Sequence, residues 1–240
     1  MRRETTPPAP KPALVQQFTR KLLAWYARHA RDLPWRRTRD PYRVLVSEFM
    51  LQQTQVSRVA QFYPRFLGRF PTIQQLARAR PQAVREEWEG LGYYARARNL
   101  HKLAKGLTDK AAKGLRDEGA KVPSEPEELI KLPGVGRYTA GAVACFAYEK
   151  PVAAVDTNVA RVIGRVFLGS RNAERGMRNR GGEIWELAES IVPREGKRAW
   201  KFNQALMELG ALVCLARKPR CGECPVRTEC KWLGAKGLRG

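Results

Sequence analysis

Residues 132–144 read LPGVGRYTAGAVA, and the fold turns on them. Gly134 and Gly136 flank Val135 just before a helical run that continues to Tyr148. Two glycines so placed allow a tight hairpin with exposed backbone N–H groups. Those donors, with the positive end of the following helix, form an anion site suited to a DNA phosphate. Alone, the pattern also fits an ordinary helix–helix turn, so its meaning depends on its surroundings.

The surroundings are helical. ALVQQFTRKLLAWYARH carries Val15, Phe18, Leu22, Leu23 and Tyr26 at helical spacing, and DLPW then breaks the pattern. Asp40-Pro41 is a helix start, an N-cap acid followed by proline at the first helical position. The spacing predicts further helices over 56–68, 73–78, 81–88, 95–107, 126–131, 137–148, 156–167, 182–192 and 198–212. No stretch alternates apolar and polar residues long enough to argue a sheet, so the predicted fold class is all-α. Residues 1–12, Pro-rich and polar, read as a disordered arm, 105–125 as a helix end with a mobile loop, and 232–240 as a tail.

Of the 240 residues 43% are hydrophobic, enough for a packed core, and no stretch approaches a membrane span. The N-terminus has no apolar region like that of a secretory signal. The expectation is a cytoplasmic, nucleoid-associated protein with no membrane partner. Forty-five Lys and Arg against 23 Asp and Glu leave a net charge of +22, which points to a polyanionic partner, with nucleic acid as the default.

Four cysteines form the run Cys214-x6-Cys221-x2-Cys224-x5-Cys230. Such crowding is a metal-site signature, and the spacing alone leaves zinc and a [4Fe–4S] cluster both open. Cys145 reads as a small buried thiol. Arg217, Lys218 and Arg220, pinned between the first two cysteines, suit phosphate contact. Asp156 reads most simply as the N-cap of the helix that Asn158 continues. GLGYYARARNLHKLA (90–104) joins two tyrosines to Arg96, Arg98 and Lys102, stacking groups beside phosphate partners. One further feature is at odds with a plain core helix: Glu48 lies within the apolar run VLVSEFML (44–51).

Together, over residues 14–232, these segments resemble the helix-hairpin-helix DNA glycosylases with an iron–sulfur cluster, the group of endonuclease III and the MutY-type adenine glycosylases. LPGVG, the aspartate that follows Tyr138 and the cysteine run carry the resemblance. LPWR (33–36), SEFMLQQTQV (47–56) and GLGYYARARNLHK (90–102) are most similar to the MutY branch. The resemblance selects [4Fe–4S] as the cofactor, with Cys214, Cys221, Cys224 and Cys230 as ligands. It implies a DNA glycosylase acting as a monomer on double-stranded DNA with a mispaired or damaged base. Glu48 is the implied acid that protonates the target adenine, its pKa raised by apolar neighbours. Asp156 is the implied stabiliser of the oxocarbenium-like sugar, supported by Asn158. Trp35, Arg36, Gln52 and Tyr138 would line the base pocket, and Gln53 and Tyr93 would wedge into the duplex. Gly134 and Gly136 would anchor one phosphate, and Arg217, Lys218 and Arg220 another. Endonuclease III-type enzymes carry a catalytic lysine where this chain has Tyr138, which implies a monofunctional glycosylase with at most weak lyase activity.

The implied architecture is two helical lobes with the DNA cleft between them. Residues 13–38 plus 150–231 form a discontinuous cluster lobe, and 39–149 a six-helix lobe holding the hairpin. MutY-type enzymes usually continue into a C-terminal domain that helps recognise oxidised guanine, whereas this chain stops ten residues after Cys230. Thr157 stands where many MutY-type sequences have glycine. Adenine opposite guanine or 8-oxoguanine is the expected substrate. The alternatives are a mismatch thymine or uracil glycosylase of the same fold and a non-catalytic iron–sulfur DNA-binding protein.

Overall fold

The structure is a computed structural model that describes residues 10–113, 120–170 and 177–235, without the side chains of residues 110 and 177–181. Most of the expected N-terminal arm and C-terminal tail, and the middle of the expected loop at 105–125, lie outside the described residues. Among the described residues there are helices and turns and no strand, so the fold is all-α. No described helix is long and apolar enough to cross a membrane.

Helix α1 (Pro12–His29) opens with proline at its first position and buries Phe18, Leu22, Trp25 and Tyr26. The buried face includes Trp25 and leaves Val15 and Leu23 only half-buried, a small rotation from the predicted stripe. The chain divides into two compact units, one of Met1–Arg31 with Glu149–Gly240, the other of Asp32–Tyr148.

The second unit starts with a single 3-10 turn, Pro34–Arg37, followed by α2 (Pro41–Leu51), α3 (Val56–Arg69), α4 (Ile73–Arg78), α5 (Pro81–Glu87), α6 (Ala95–Ala112), α7 (Pro126–Leu129) and α8 (Arg137–Tyr148). Asp40 caps α2 as its sequence predicts, its carboxylate accepting from the Arg43 amide at 2.9 Å. Helix α2 is buried from Val44 to Met50 and packs against α8, α3 and α6. Helix α8, which packs on it, buries Ala140, Gly141, Ala142 and Ala144, small residues that let neighbouring backbones approach closely. The 3-10 turn packs on α2 and α3, with the Trp35 ring edge-on to Tyr63 at 5.7 Å. Residues 32–38 therefore sit in this unit, where the sequence places them in the other lobe.

The first unit continues with α9 (Thr157–Phe167), α10 (Met177–Ile191), α11 (Gly196–Leu212), a 3-10 turn at Cys221–Glu223 and α12 (Lys231–Gly234). Helix α11 packs on both α9 and α1. Phe18 meets Phe167 and Phe202 edge-on at 5.0 and 6.2 Å. Glu208 of α11 is fully buried and takes a forked pair of hydrogen bonds from Arg31, at 2.7 and 3.0 Å. A carboxylate taken out of water needs such a partner. Lys21 ties α1 to the cysteine segment by donating to Glu229 and to Thr228, both at 2.7 Å.

Candidate functional site

The candidate residues fall in both units. In the second unit the hairpin follows α7. Val135 is buried beneath it, and its amide donates to the Leu132 carbonyl at 3.1 Å. The two glycines have different reasons to be there. Gly134 has φ +78°, and a Cβ on it would lie 2.8 Å from Asn99 Cβ and 3.0 Å from Phe49 Cε1. Only glycine meets both demands. Gly136 has nothing within 4 Å of a built Cβ, and its carbonyl accepts the first helical bond of α8, from Ala140 at 2.9 Å. It is exposed, so the backbone at the start of α8 is bare to an approaching phosphate.

Glu48 lies two turns into α2 with only 4% of its surface exposed, on a helix buried at Val44, Leu45, Phe49 and Met50. At the end of α2, Gln52 is half-buried and Gln53 is exposed. Gln53 takes a left-handed conformation, φ 54°, and Tyr93 does the same, φ 47°, with 62% of its surface exposed. Tyr138 and Arg36 are half-buried, and Trp35 is buried.

Arg96 departs from its expected role. It is 6% exposed and turned inward onto backbone carbonyls, so it is no phosphate partner. Arg98 and Lys102 remain exposed.

In the first unit Asp156 caps α9, accepting from the Val159 amide at 2.7 Å and from Asn158 Nδ2 at 3.1 Å. The N-cap reading and the functional one coexist, since one oxygen serves the helix and the other is held by Asn158. Burial pushes the Asp156 carboxyl above the usual carboxylate range. The Val159 and Asn158 hydrogen bonds and the Arg161 charge pull the other way. Arg161 grips the second side of Asn158, donating to its Oδ1 at 2.6 Å, and also donates to the carbonyls of Gly210 at 2.8 Å and Cys214 at 2.7 Å. One arginine thus connects the aspartate's amide partner to the first cysteine's backbone.

Arg165, one turn on, is 2% exposed and lies over the Trp232 ring at 5.2 Å. It donates to Cys214 Sγ at 3.4 Å, Leu215 O at 2.7 Å and Ala216 O at 3.2 Å. Neither arginine is among the residues expected from the sequence. Their signal is there in the i, i+4 spacing of two arginines on the otherwise apolar run NVARVIGRVF (158–167).

Cys214, Cys221, Cys224 and Cys230 all line one apolar cavity, with Val162, Leu209 and Val226 on its walls. Burial pushes the Cys224 thiol up to about 12, the neighbouring cysteines adding to the rise, and burial also raises Cys230. Thiolates form in such a place when a cationic centre compensates them. Four thiols lining one apolar cavity form the all-sulfur donor set that an iron–sulfur cluster takes. Between the first two cysteines, Arg217, Lys218 and Arg220 are exposed, and Lys218 is left-handed at φ 48°. Cys145 is fully buried in α8.

Residues 46–187 match the family described as the HhH-GPD superfamily base excision DNA repair protein, and residues 214–230 match the iron-sulfur binding domain of endonuclease III. An adenine DNA glycosylase of Mycolicibacterium smegmatis is 43% identical over 216 residues, covering 90% of this chain and 69% of the relative. The adenine DNA glycosylase of Rattus norvegicus is 42% identical over 227 residues, which cover 90% of this chain, and the chain spans only 42% of that relative's length. Among solved structures, a thermostable thymine-DNA glycosylase superposes with a TM-score of 0.81 at 31% identity, covering 93% of this chain and 98% of that one. An endonuclease III from a non-covalent DNA complex superposes with a TM-score of 0.75 at 25% identity, covering 96% and 100%. The chain belongs to the HhH-GPD superfamily of base excision DNA repair proteins, with a [4Fe–4S] cluster as its cofactor.

Proposed function

We propose that this protein is a monofunctional DNA glycosylase that removes adenine mispaired with guanine or 8-oxoguanine. The observation that carries the reading is Glu48, a carboxyl enclosed in the middle of α2 a few residues before the left-handed, exposed Gln53. The adenine glycosylase relatives support the choice of base.

The glycosidic bond is out of reach while the nucleotide is stacked, so the base must be extruded first. Gln53 and Tyr93 wedge into the duplex, while Trp35, Arg36, Gln52 and Tyr138 receive the base. Trp35 contributes as a buried wall. Glu48 passes its proton to N7 of the purine, and the electrons of the C1′–N9 bond leave with the base. Asp156, kept in place by Asn158, stabilises the positive charge that develops on the sugar. Water adds its oxygen to C1′, and its proton restores the Glu48 carboxyl. Tyr138 offers no amine for a Schiff base, so strand cleavage is at most weak.

Gly134 and Gly136 anchor one phosphate through backbone amides, and Arg217, Lys218 and Arg220 grip another. Cys214, Cys221, Cys224 and Cys230 would hold the cluster, whose contribution is to fix the loop that carries those cations. The partner is double-stranded DNA, met by a monomer in a nucleoid-associated cytoplasmic setting.

The test is a single-turnover glycosylase assay on A:8-oxoguanine, A:G, T:G and U:G duplexes, with Glu48→Gln beside the wild type. Adenine release that vanishes in Glu48→Gln, with duplex binding retained, supports the reading. The likeness to a thymine-DNA glycosylase gives the second reading, and thymine or uracil release with adenine untouched would establish it instead.

A further inference from the structure

We propose that Arg96 is a positioning residue that sets both wedging residues, Gln53 and Tyr93, through one buried guanidinium. The inference rests on the wedging role proposed above and adds what holds the wedges in place.

Arg96 sits in the first turn of α6 and bonds two segments far apart in sequence. Its Nη1 donates to the carbonyls of Phe49 at 3.1 Å, Met50 at 2.7 Å and Gln52. Its Nη2 donates to the carbonyls of Leu91 and Gly92, both at 3.1 Å. The first group includes carbonyls left over at the C-terminus of α2, which carries partial negative charge and has no basic residue in its own last turn. Arg96 supplies that charge from another helix.

The choice of carbonyls is what points to function. The Gln52 carbonyl belongs to the peptide that leads into Gln53, and the Gly92 carbonyl to the peptide that leads into Tyr93. One guanidinium therefore fixes the orientation of the peptide plane ahead of each wedge. Both residues are left-handed, a conformation that is costly for a side-chain-bearing residue. A conformation of that cost persists where its surroundings over-determine it. Trp88 adds a third hold, its Nε1 donating to the Gly92 carbonyl at 3.2 Å. The Arg96 guanidinium lies 5.5 Å from both the Trp88 and Tyr93 rings, so it supports the tyrosine from beneath as well as through its backbone. Lysine cannot take this place, because a point charge with no planar fork cannot serve two sets of carbonyls at once.

The experiment compares Arg96→Lys with the wild type on two substrates. One is a fully paired duplex with adenine opposite 8-oxoguanine; the other presents the adenine unpaired in a single-base bulge, where little wedging is needed. Extrusion is followed separately by the fluorescence of 2-aminopurine at the target position, and folding by circular dichroism and thermal melting. The expected result is a loss of about tenfold to a hundredfold on the paired duplex, the range that a small misplacement produces. On the bulge the loss stays within about threefold, and the 2-aminopurine signal falls in step with the paired-duplex rate.

Trp88→Phe keeps an aromatic, though smaller, side chain and removes one donor to the Gly92 carbonyl. It should show the same selectivity at smaller amplitude, and it carries the test should Arg96→Lys fold poorly. Equal losses on both substrates, or no loss on either, would overturn the proposal. If the wild type releases no adenine, the proposed function fails. The 2-aminopurine signal then still decides whether Arg96 governs extrusion.

Discussion

Replacing Gly134 by alanine separates the two glycines of the hairpin by mechanism. At Gly134 the backbone has φ +78°, where an L residue loses about 1–2 kcal/mol. The added methyl would also stand 2.8 Å from Asn99 Cβ and 3.0 Å from Phe49 Cε1, closer than such atoms approach. Phe49 is fully buried on α2 and cannot swing into solvent, so relieving the contact costs a further ~1–3 kcal/mol of overpacking. The expected sum is a destabilisation of about 2–5 kcal/mol, a large share of the 5–15 kcal/mol typical of a folded protein. Gly136→Ala meets nothing within 4 Å and sits at the surface, so its stability should stay within about 0.5 kcal/mol of the wild type. The same methyl would stand at the proposed phosphate contact, and losing a hydrogen bond to a charged group should weaken duplex binding by about tenfold or more. Urea denaturation read by far-ultraviolet circular dichroism gives the first quantity, and fluorescence anisotropy with a labelled duplex the second. Equal stability of Gly134→Ala and Gly136→Ala would refute the argument, as would unchanged DNA affinity in Gly136→Ala.

Two further outcomes concern the first unit. Asn158 donates to the Asp156 carboxylate and favours its ionised form, while burial already holds that carboxyl above the usual range. Asn158→Ala should raise it further, so that the charge is lost sooner as pH falls and the acid limb of the single-turnover pH profile moves to higher pH. An unmoved limb would count against an ionised Asp156 in the reaction. Cys224→Ser removes one thiol from the apolar cavity and should cost the protein its iron content and visible cluster absorption. Duplex affinity should fall with them, because Arg217, Lys218 and Arg220 lose their anchored loop; full retention of iron would exclude Cys224 as a ligand.

Most helix starts were legible because they are local. Asp40-Pro41 and Asp156 announce their caps within three residues, and both carboxylates accept the expected amide. Glu48 was legible as an anomaly, an acid in an apolar run, and the cysteine run by its spacing. The resemblance supplied what neither could, the pairing of those residues with particular roles. Of the buried arginines, Arg161 and Arg165 showed only as an i, i+4 pair in an apolar run, and the inward direction of these two and of Arg96 could not be read. A net charge of +22 suggests a phosphate partner in Arg96, yet Arg96, and with it Arg161 and Arg165, faces inward onto backbone carbonyls. Burying such a charge is costly, and carbonyls at helix ends and in loops offset that cost only where the chain has already brought them together. That convergence is tertiary, and no local pattern specifies which carbonyls will meet. Counting charge therefore overstates the DNA-facing surface and understates its organisation. The inward arginines hold the loops at Gln53, Tyr93 and Cys214–Ala216, and these loops carry or adjoin the exposed groups proposed to meet DNA.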